Sequence, residues 1–280
     1  MEPPAVIVKD VSKSFQLKHG FTIRQAMANR RARKDPTNTV QALSDISFHV
    51  EQGAGVALMG LNGAGKSTLL KLISGVMVPD TGTVHLRGRV AGLIDTGAGM
   101  HPELTCRENI HLNAGILGMS RSEVNAKFDA IVDFAGTPES FLDTQVRFLS
   151  SGMFSRLGFS VAIHAEPDVF LVDEVLAVGD GQFKQKCRKA LLLRRRREGM
   201  TLIIVAHEIG LLRRLCTEAM VLEDGRLVYQ GNLTGAEALI GDDDESDDLA
   251  GLGDLPAQAR ADPVGPPPSR PAGVASPSSA

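Results

Sequence analysis

Short apolar runs, each closed by glycine or polar turn residues, alternate along most of the chain with stretches whose apolar positions recur at helical spacing. Residues 5–8 (AVIV) are apolar and largely β-branched and end in Lys9-Asp10, while Ile46, Phe48 and Val50 alternate with Ser47 and His49, so two strands are predicted on either side of an interruption. Residues 56–59 (VALM) read as a short buried strand. A helix should follow over 67–74, with Leu69, Leu70, Leu72 and Ile73 apolar and Gly75 and Pro79 ending it. Pro79-Asp80-Thr81-Gly82 reads as a turn before two short strands at 83–86 and 90–94. Thr105-x-x-Glu108 and Ser120-x-x-Glu123 are capping boxes, each opening a helix. In the second, Val124, Phe128, Ile131, Val132 and Ala135 share one face and Gly136 closes it. After Glu166-Pro167-Asp168 come the buried strand VFLVDE, a basic helix over 180–198, the buried strand TLIIVAH, a helix over 208–215 and a hairpin about 223–226. Strands alternating with helices predict an α/β fold, a mostly parallel sheet covered on both faces. The reading gives one domain over residues 1–240, with a helical insert over about 97–164.

Two stretches depart from this pattern. From 16 to 40 the chain carries Lys18, Arg24, Arg30, Arg31, Arg33 and Lys34, preceded or interleaved by Phe21, Ile23, Ala26 and Met27. It reads either as a basic amphipathic helix lying on anionic lipid or gripping an anionic substrate, or as a solvated loop. From 241 to 280 the chain is acidic and then rich in Pro, Ser, Gly and Ala, too poor in large apolar residues to fold alone, so disorder is expected there. The tail holds eight acidic and two basic residues against a total formal charge of −3, leaving the body mildly basic. With one tyrosine and no tryptophan, neither charge nor base stacking points to nucleic acid. Cys106, Cys187 and Cys216 are odd in number and far apart, which suits reduced, buried thiols rather than a disulfide framework or zinc site. No apolar run reaches the roughly 18 residues of a membrane span, and the N-terminus MEPPAVIVKD lacks the regions of a signal peptide, which together predict a cytosolic location.

The candidate chemistry begins at Gly60. The run GLNGAGKS over 60–67 fills every fixed position of the phosphate-loop pattern G-x-x-x-x-G-K-[ST]. Glycines at 60, 63 and 65 let backbone N–H groups turn inward on an anion, with Asn62 and Ala64 between them, and the helix that follows adds its positive end through Ser67 and Thr68. Lys66 would neutralise the β- and γ-phosphates, and the Ser67 hydroxyl suits Mg²⁺. Downstream, the strand 169–172 ends in Asp173-Glu174, where Asp173 is placed to face the metal and Glu174 to act as general base on water.

Between these two elements lies Leu149-Ser150-Ser151-Gly152-Met153, and after them a lone His207 follows a buried strand. Phosphate loop, serine-glycine element opening a helix, aspartate-glutamate strand and strand-end histidine, in this order over about residues 5–235, resemble the ATP-binding cassette (ABC) ATPases. The resemblance implies a P-loop NTPase cassette with a mostly parallel core sheet, an antiparallel β subdomain and a helical subdomain. It also implies ATP and Mg²⁺ as cofactors. Against the family's L-S-G-G-Q, Ser151 and Met153 replace the glycine and glutamine, while Ser150 and Gly152 match. The resemblance makes this element the cap on the γ-phosphate bound by a partner subunit, and His207 a γ-phosphate contact that aids hydrolysis. Asp180 falls where the family has an aspartate that crosses between subunits, and Phe15 matches the aromatic that stacks on adenine. The glutamine expected between phosphate loop and signature is missing, and counting back from Pro102 leaves Asp95 or Thr96 in its place.

LSSGM, DEVLAVGD with Phe183-Lys184-Gln185-Lys186-Cys187 after it, and GAGMHPELTCRENI resemble the ATPase subunits of polysaccharide and teichoic-acid exporters, the Wzt and TagH type. The resemblance implies a homodimer of cassettes at the cytoplasmic face of the membrane, under a separate integral-membrane permease of the Wzm or TagG type. That permease would move a lipid-linked glycan of O-antigen, teichoic-acid or galactan kind. The basic insert sits where this branch carries a helix thought to lie on the membrane, and the tail is too short for an added carbohydrate-binding domain. The ATPase of a small lipid or drug exporter would carry the same motifs. A non-transport cassette clamping DNA or ribosomes would usually need a coiled-coil insertion or tandem cassettes, which the chain lacks.

Overall fold

The computed structural model describes residues 3–17, 38–94, 99–173, 180–206 and 208–240. The basic stretch from 18 to 37, Asp95, Thr96, Glu174, His207 and the tail from 241 lie outside the described residues.

Two sheets share the strands. Strands β1 (Val6–Leu17), β2 (Asn38–Val50) and β4 (Thr81–Leu86) form an antiparallel sheet in the order β2-β1-β4. Strands β3 (Gly55–Met59), β5 (Val90–Leu93), β6 (Val169–Asp173), β7 (Thr201–Val205), β8 (Glu218–Glu223) and β9 (Arg226–Asn232) form the second sheet in the order β5-β6-β7-β3-β8-β9. All of its pairs are parallel except β8 with β9. Every residue of β3 and β7 is buried, the signature of strands covered on both faces.

β1 and β2 run well beyond the apolar ends that the alternation predicts, pairing from Val6↔Val50 out to Phe15↔Val40. Asp10 and Asp45 each take a left-handed φ of 51°, and register shifts lie between Val8 and Ser14. These bulges break the period-two alternation without ending the ladder, so the sequence pattern stops where the pairing does not.

Helix α1 (Lys66–Ile73) lies between the two sheets. Its Leu69, Leu70, Leu72 and Ile73 join Val6, Val8, Ile46 and Phe48 of the antiparallel sheet and Val56, Leu58, Ile203 and Val205 of the parallel one. Between β5 and β6 come α2 (Cys106–Ile116), α3 (Arg121–Ala135) and α4 (Ser151–His164). Both predicted capping boxes are formed, at Thr105/Glu108 and Ser120/Glu123, and Gly136 ends α3 with φ 67°. Helix α4 joins two cores. Leu157, Val161 and Ala165 at its end pack with Ile110 and Ile131 of the helical layer, while Phe159, Ala162 and Ile163 pack under the parallel sheet. The opposite face of that sheet from α1 is closed by α4, α5 (Gly181–Glu198), α6 (Ile209–Leu215) and α7 (Leu233–Ile240). Helix α7 is absent from the sequence reading, although Asn232 caps its first turn by accepting the Gly235 N–H at 2.7 Å.

Candidate functional site

Because β3, β5, β6, β7 and β8 run parallel, their C-terminal ends lie along one edge, the edge at which open α/β sheets bind ligands. The phosphate-loop residues follow β3 directly. Asp173 closes β6, paired with Val205 at the end of β7, and β7 lies between β6 and β3. The structure therefore brings the loop and Asp173 to the same edge, with only β7 between their strands. His207 and Glu174 are the next residues on from Ala206 and Asp173, outside the described set.

Inside the loop, the Lys66 ammonium is drawn back over the backbone, donating to the Gly60 carbonyl at 2.7 Å and the Leu61 carbonyl at 2.8 Å. The residue is 8% exposed, so a positive charge is held at the centre of the curl. Gly65 takes φ 102°, and a Cβ there would stand 2.6 Å from the Ala42 carbonyl oxygen. It also gives α1 no side-chain cap, so an anion can meet the first turn of the helix at Ser67 and Thr68. Around Gly63 no described residue comes within 4 Å of a Cβ, and Asn62, Gly63 and Ser67 are exposed while Ala64 is buried as the inner wall. A cradle of this shape fits a chain of phosphates.

Two supports escape sequence reasoning, one of the loop and one of the strand that carries Phe15. The first is Gly225, in the turn between β8 and β9. Its N–H donates to the Ala64 carbonyl at 3.2 Å, and its own carbonyl accepts the Ser44 N–H at 2.8 Å. Its φ is 73°, and a Cβ would lie 2.6 Å from the Ala42 oxygen, so only glycine fits between loop and β2. The second is Asp80, in the turn after α1. Its Oδ1 accepts from Lys13 Nζ at 2.7 Å, and its Oδ2 accepts from both the N–H and the hydroxyl of Ser14 at 2.7 Å. Those bonds, Lys13 first, hold the Asp80 carboxyl down at about 2. The Asp-Gly of the hairpin was a turn signal, but its partners lie far away in sequence.

Phe15 lies on β1 opposite Val40, 37% exposed, with Lys13 Nζ 5.9 Å from its ring centre. It stands on the strand pair whose Ala42 and Leu43 wall Gly65.

Ser150 is the N-cap of α4, its hydroxyl accepting the Met153 N–H at 3.2 Å. Ser150 and Ser151 are exposed. Among the described residues, a Cβ at Gly152 would meet nothing nearer than the Ser150 hydroxyl at 4.0 Å, so no packing among them asks for glycine. Asp180 is engaged within its own chain. It caps α5 by accepting the Phe183 N–H at 2.9 Å and pairs with Arg156 of α4 at 2.6 Å, and those contacts, the Phe183 N–H first, hold its carboxyl below the usual range. The Arg156 guanidinium also stands 5.2 Å over the Phe183 ring. The opening of α4 and the opening of α5 are thus tied together. Burial pushes the Cys187 and Cys216 thiols up to about 12, and Cys106 is likewise buried and raised.

Among the described residues no helix is long and apolar enough to cross a membrane. The ABC transporter family matches residues 43–177. The chain is 43% identical over 231 residues to the ABC transporter protein AbcA of Aeromonas salmonicida, covering 82% of this chain and 74% of that one. It is 41% identical over 233 residues to the O-antigen export system ATP-binding protein RfbB of Klebsiella pneumoniae, 80% of this chain and 92% of that one. With the teichoic acids export ATP-binding protein TagH of Bacillus anthracis it shares 38% identity over 192 residues, 69% of this chain but 34% of the relative. In structure it resembles an ATP-binding subunit of an ABC transporter, with TM-score 0.66 and 25% identity over 85% of this chain and 93% of that one. It also resembles the ATP-binding cassette MJ0796, solved as a dimer bound to ADP and Pi, with TM-score 0.64 and 22% identity over 81% and 98% of the two chains. The cradle at the end of β3, the acidic end of β6 two strands away and these likenesses converge: the chain belongs to the ABC transporter family, as an ATP-binding, ATP-hydrolysing subunit.

Proposed function

We propose that this subunit works as a homodimer on the cytoplasmic face of the cytoplasmic membrane, driving a separate permease that exports a lipid-linked polysaccharide. The observation that carries the cargo class is the identity of about 40% to relatives named for O-antigen export, over some four fifths of this chain. Support for a shared site comes from Gly152, where a Cβ would crowd none of the described residues, beside the exposed Ser150 and Ser151. Such an opening suits a phosphate brought by a second copy.

In this reading Gly60, Asn62, Gly63, Ala64, Gly65, Lys66, Ser67 and Thr68 of one chain cradle the triphosphate, and Phe15 stacks on the base. Ser150, Ser151 and Gly152 of the other copy cap the γ-phosphate. Ser67 and Asp173 are hard oxygen donors that fit Mg²⁺, which would neutralise charge on the phosphates. Glu174 takes the proton of the attacking water, His207 steadies the γ-phosphate, and Asp180 lies next to the subunit boundary. Binding of ATP draws the copies together and hydrolysis lets them part. The exposed Leu112 and Ile116 of α2 give the helical layer an apolar surface on which the permease can rest.

Glu174→Gln should retain ATP binding, lose at least about 10²-fold in turnover and accumulate as an ATP-bound dimer on size-exclusion chromatography. Hydrolysis at the wild-type rate would remove Glu174 as the base. For the cargo, cells depleted of the protein should accumulate lipid-linked glycan on the cytoplasmic side, and their failure to do so would point to a smaller exported lipid or drug.

A further inference from the structure

Asp80 lies in the turn after α1, and among the described residues its three side-chain bonds all end on the two residues that precede Phe15. Oδ1 holds the Lys13 ammonium, and Oδ2 holds both the N–H and the hydroxyl of Ser14. The turn that carries it is fastened to the same strand a second time, through the Asp80 N–H to the Ser12 carbonyl at 2.9 Å. Lys13 is itself placed between the carboxylate and the Phe15 ring, 2.7 Å from the first and 5.9 Å from the centre of the second. An ammonium so held covers one side of the ring and limits the rotamers that Phe15 can take.

Fold stability does not explain this convergence. Exposed ion pairs add little to stability, and Asp80 has a side chain 40% exposed. Preorganisation does explain it, because a flat base gains stacking energy only on a ring that is already fixed in place.

We infer that Asp80 is a positioning residue for the nucleotide base, acting through Lys13 and Ser14 to hold Phe15 as a fixed aromatic platform. The inference rests on the reading of Phe15 as the base-stacking residue. It makes base recognition depend on the turn after α1, the same helix whose first turn meets the phosphates. The two ends of ATP are then set by the two ends of one helix.

The test uses the full chain with Mg²⁺, measuring steady-state ATP hydrolysis and competitive inhibition by inorganic tripolyphosphate, which carries the phosphates without a base. Asp80→Asn should raise the KM for ATP about three- to tenfold, a fraction of the stacking gained by a base on an aromatic face, with kcat little changed. The inhibition constant of tripolyphosphate should stay where it is. Lys13→Gln should reproduce the shift and carries the test if Asp80→Asn does not fold. Phe15→Ala should raise the KM at least as much, and Asp80→Asn added to it should do nothing further. Weakened tripolyphosphate binding in step with ATP would overturn the inference, since the whole cradle would then have moved. So would an unchanged KM in Asp80→Asn beside a raised one in Phe15→Ala. An unchanged KM in Phe15→Ala would instead overturn the stacking role of Phe15, and this inference with it.

Discussion

At the scale of single residues, several positions serve the fold and the chemistry through the same atoms. Lys66 turns inward because two loop carbonyls receive its ammonium, and that same placement leaves the charge where phosphates would arrive. Asp80 shows the pH side of such bonding. Its carboxyl is held at about 2, below its ordinary 3.8, by Lys13 and Ser14. The folded chain therefore binds this proton more weakly than the unfolded chain does. Whatever the Asp80 bonds contribute is complete above pH 3.8 and is lost as pH falls through about 2. Acid titration followed by NMR of the carboxyl carbons should find Asp80 ionised below the range of ordinary aspartates, and Lys13→Gln should move its titration upward. The roles of Asp80 and Gly225 are not legible in the sequence. Each was visible only as a turn residue, because its partners come from β1, β2 and the phosphate loop, and no local pattern encodes that meeting.

At the scale of elements, what was legible is what local chemistry determines. The Thr105 and Ser120 boxes satisfy their helix N-termini within three residues, so the sequence alone placed both helix starts. Thr105→Ala should cost about 1 kcal/mol of stability in urea unfolding, as should Ser120→Ala, each leaving the midpoint of nucleotide binding unchanged. Strand–loop–helix around Gly60 was equally readable, since the loop pattern and the flanking apolar runs are contiguous. The long strands β1 and β2 were readable only at their apolar ends. Past Asp10 and Asp45 polar and apolar residues mix, with Lys13 paired to Leu43 and Ser14 to Gln41, and bulges shift which face each residue meets. Helix α7 was missed for a different reason. Its eight residues are too few to show a period, and its stability comes from Leu233 and Ala236 packing under the sheet.

At the scale of the whole molecule, a shared site makes a demand that no single chain can meet. Lys66→Ala should disable the cradle of its own chain, and Gly152→Asp should disable the cap it offers to the other, without crowding any described residue of its own fold. Each variant alone should be inactive. Mixed in equal amounts before assembly, they should recover about a quarter of the wild-type ATPase sites, because half the dimers pair unlike chains and each of those keeps one intact site. No recovery in the mixture would mean that both groups act within the same chain. The wedged position of Gly225 has an engineering consequence as well. Exposed hairpin tips are the usual places for grafted peptides, reporter tags and new chain ends. In this protein the tip between β8 and β9 is clamped from both sides, so lengthening it would loosen the nucleotide grip, and a tag placed there should weaken ATP binding although the turn lies far from the loop in sequence.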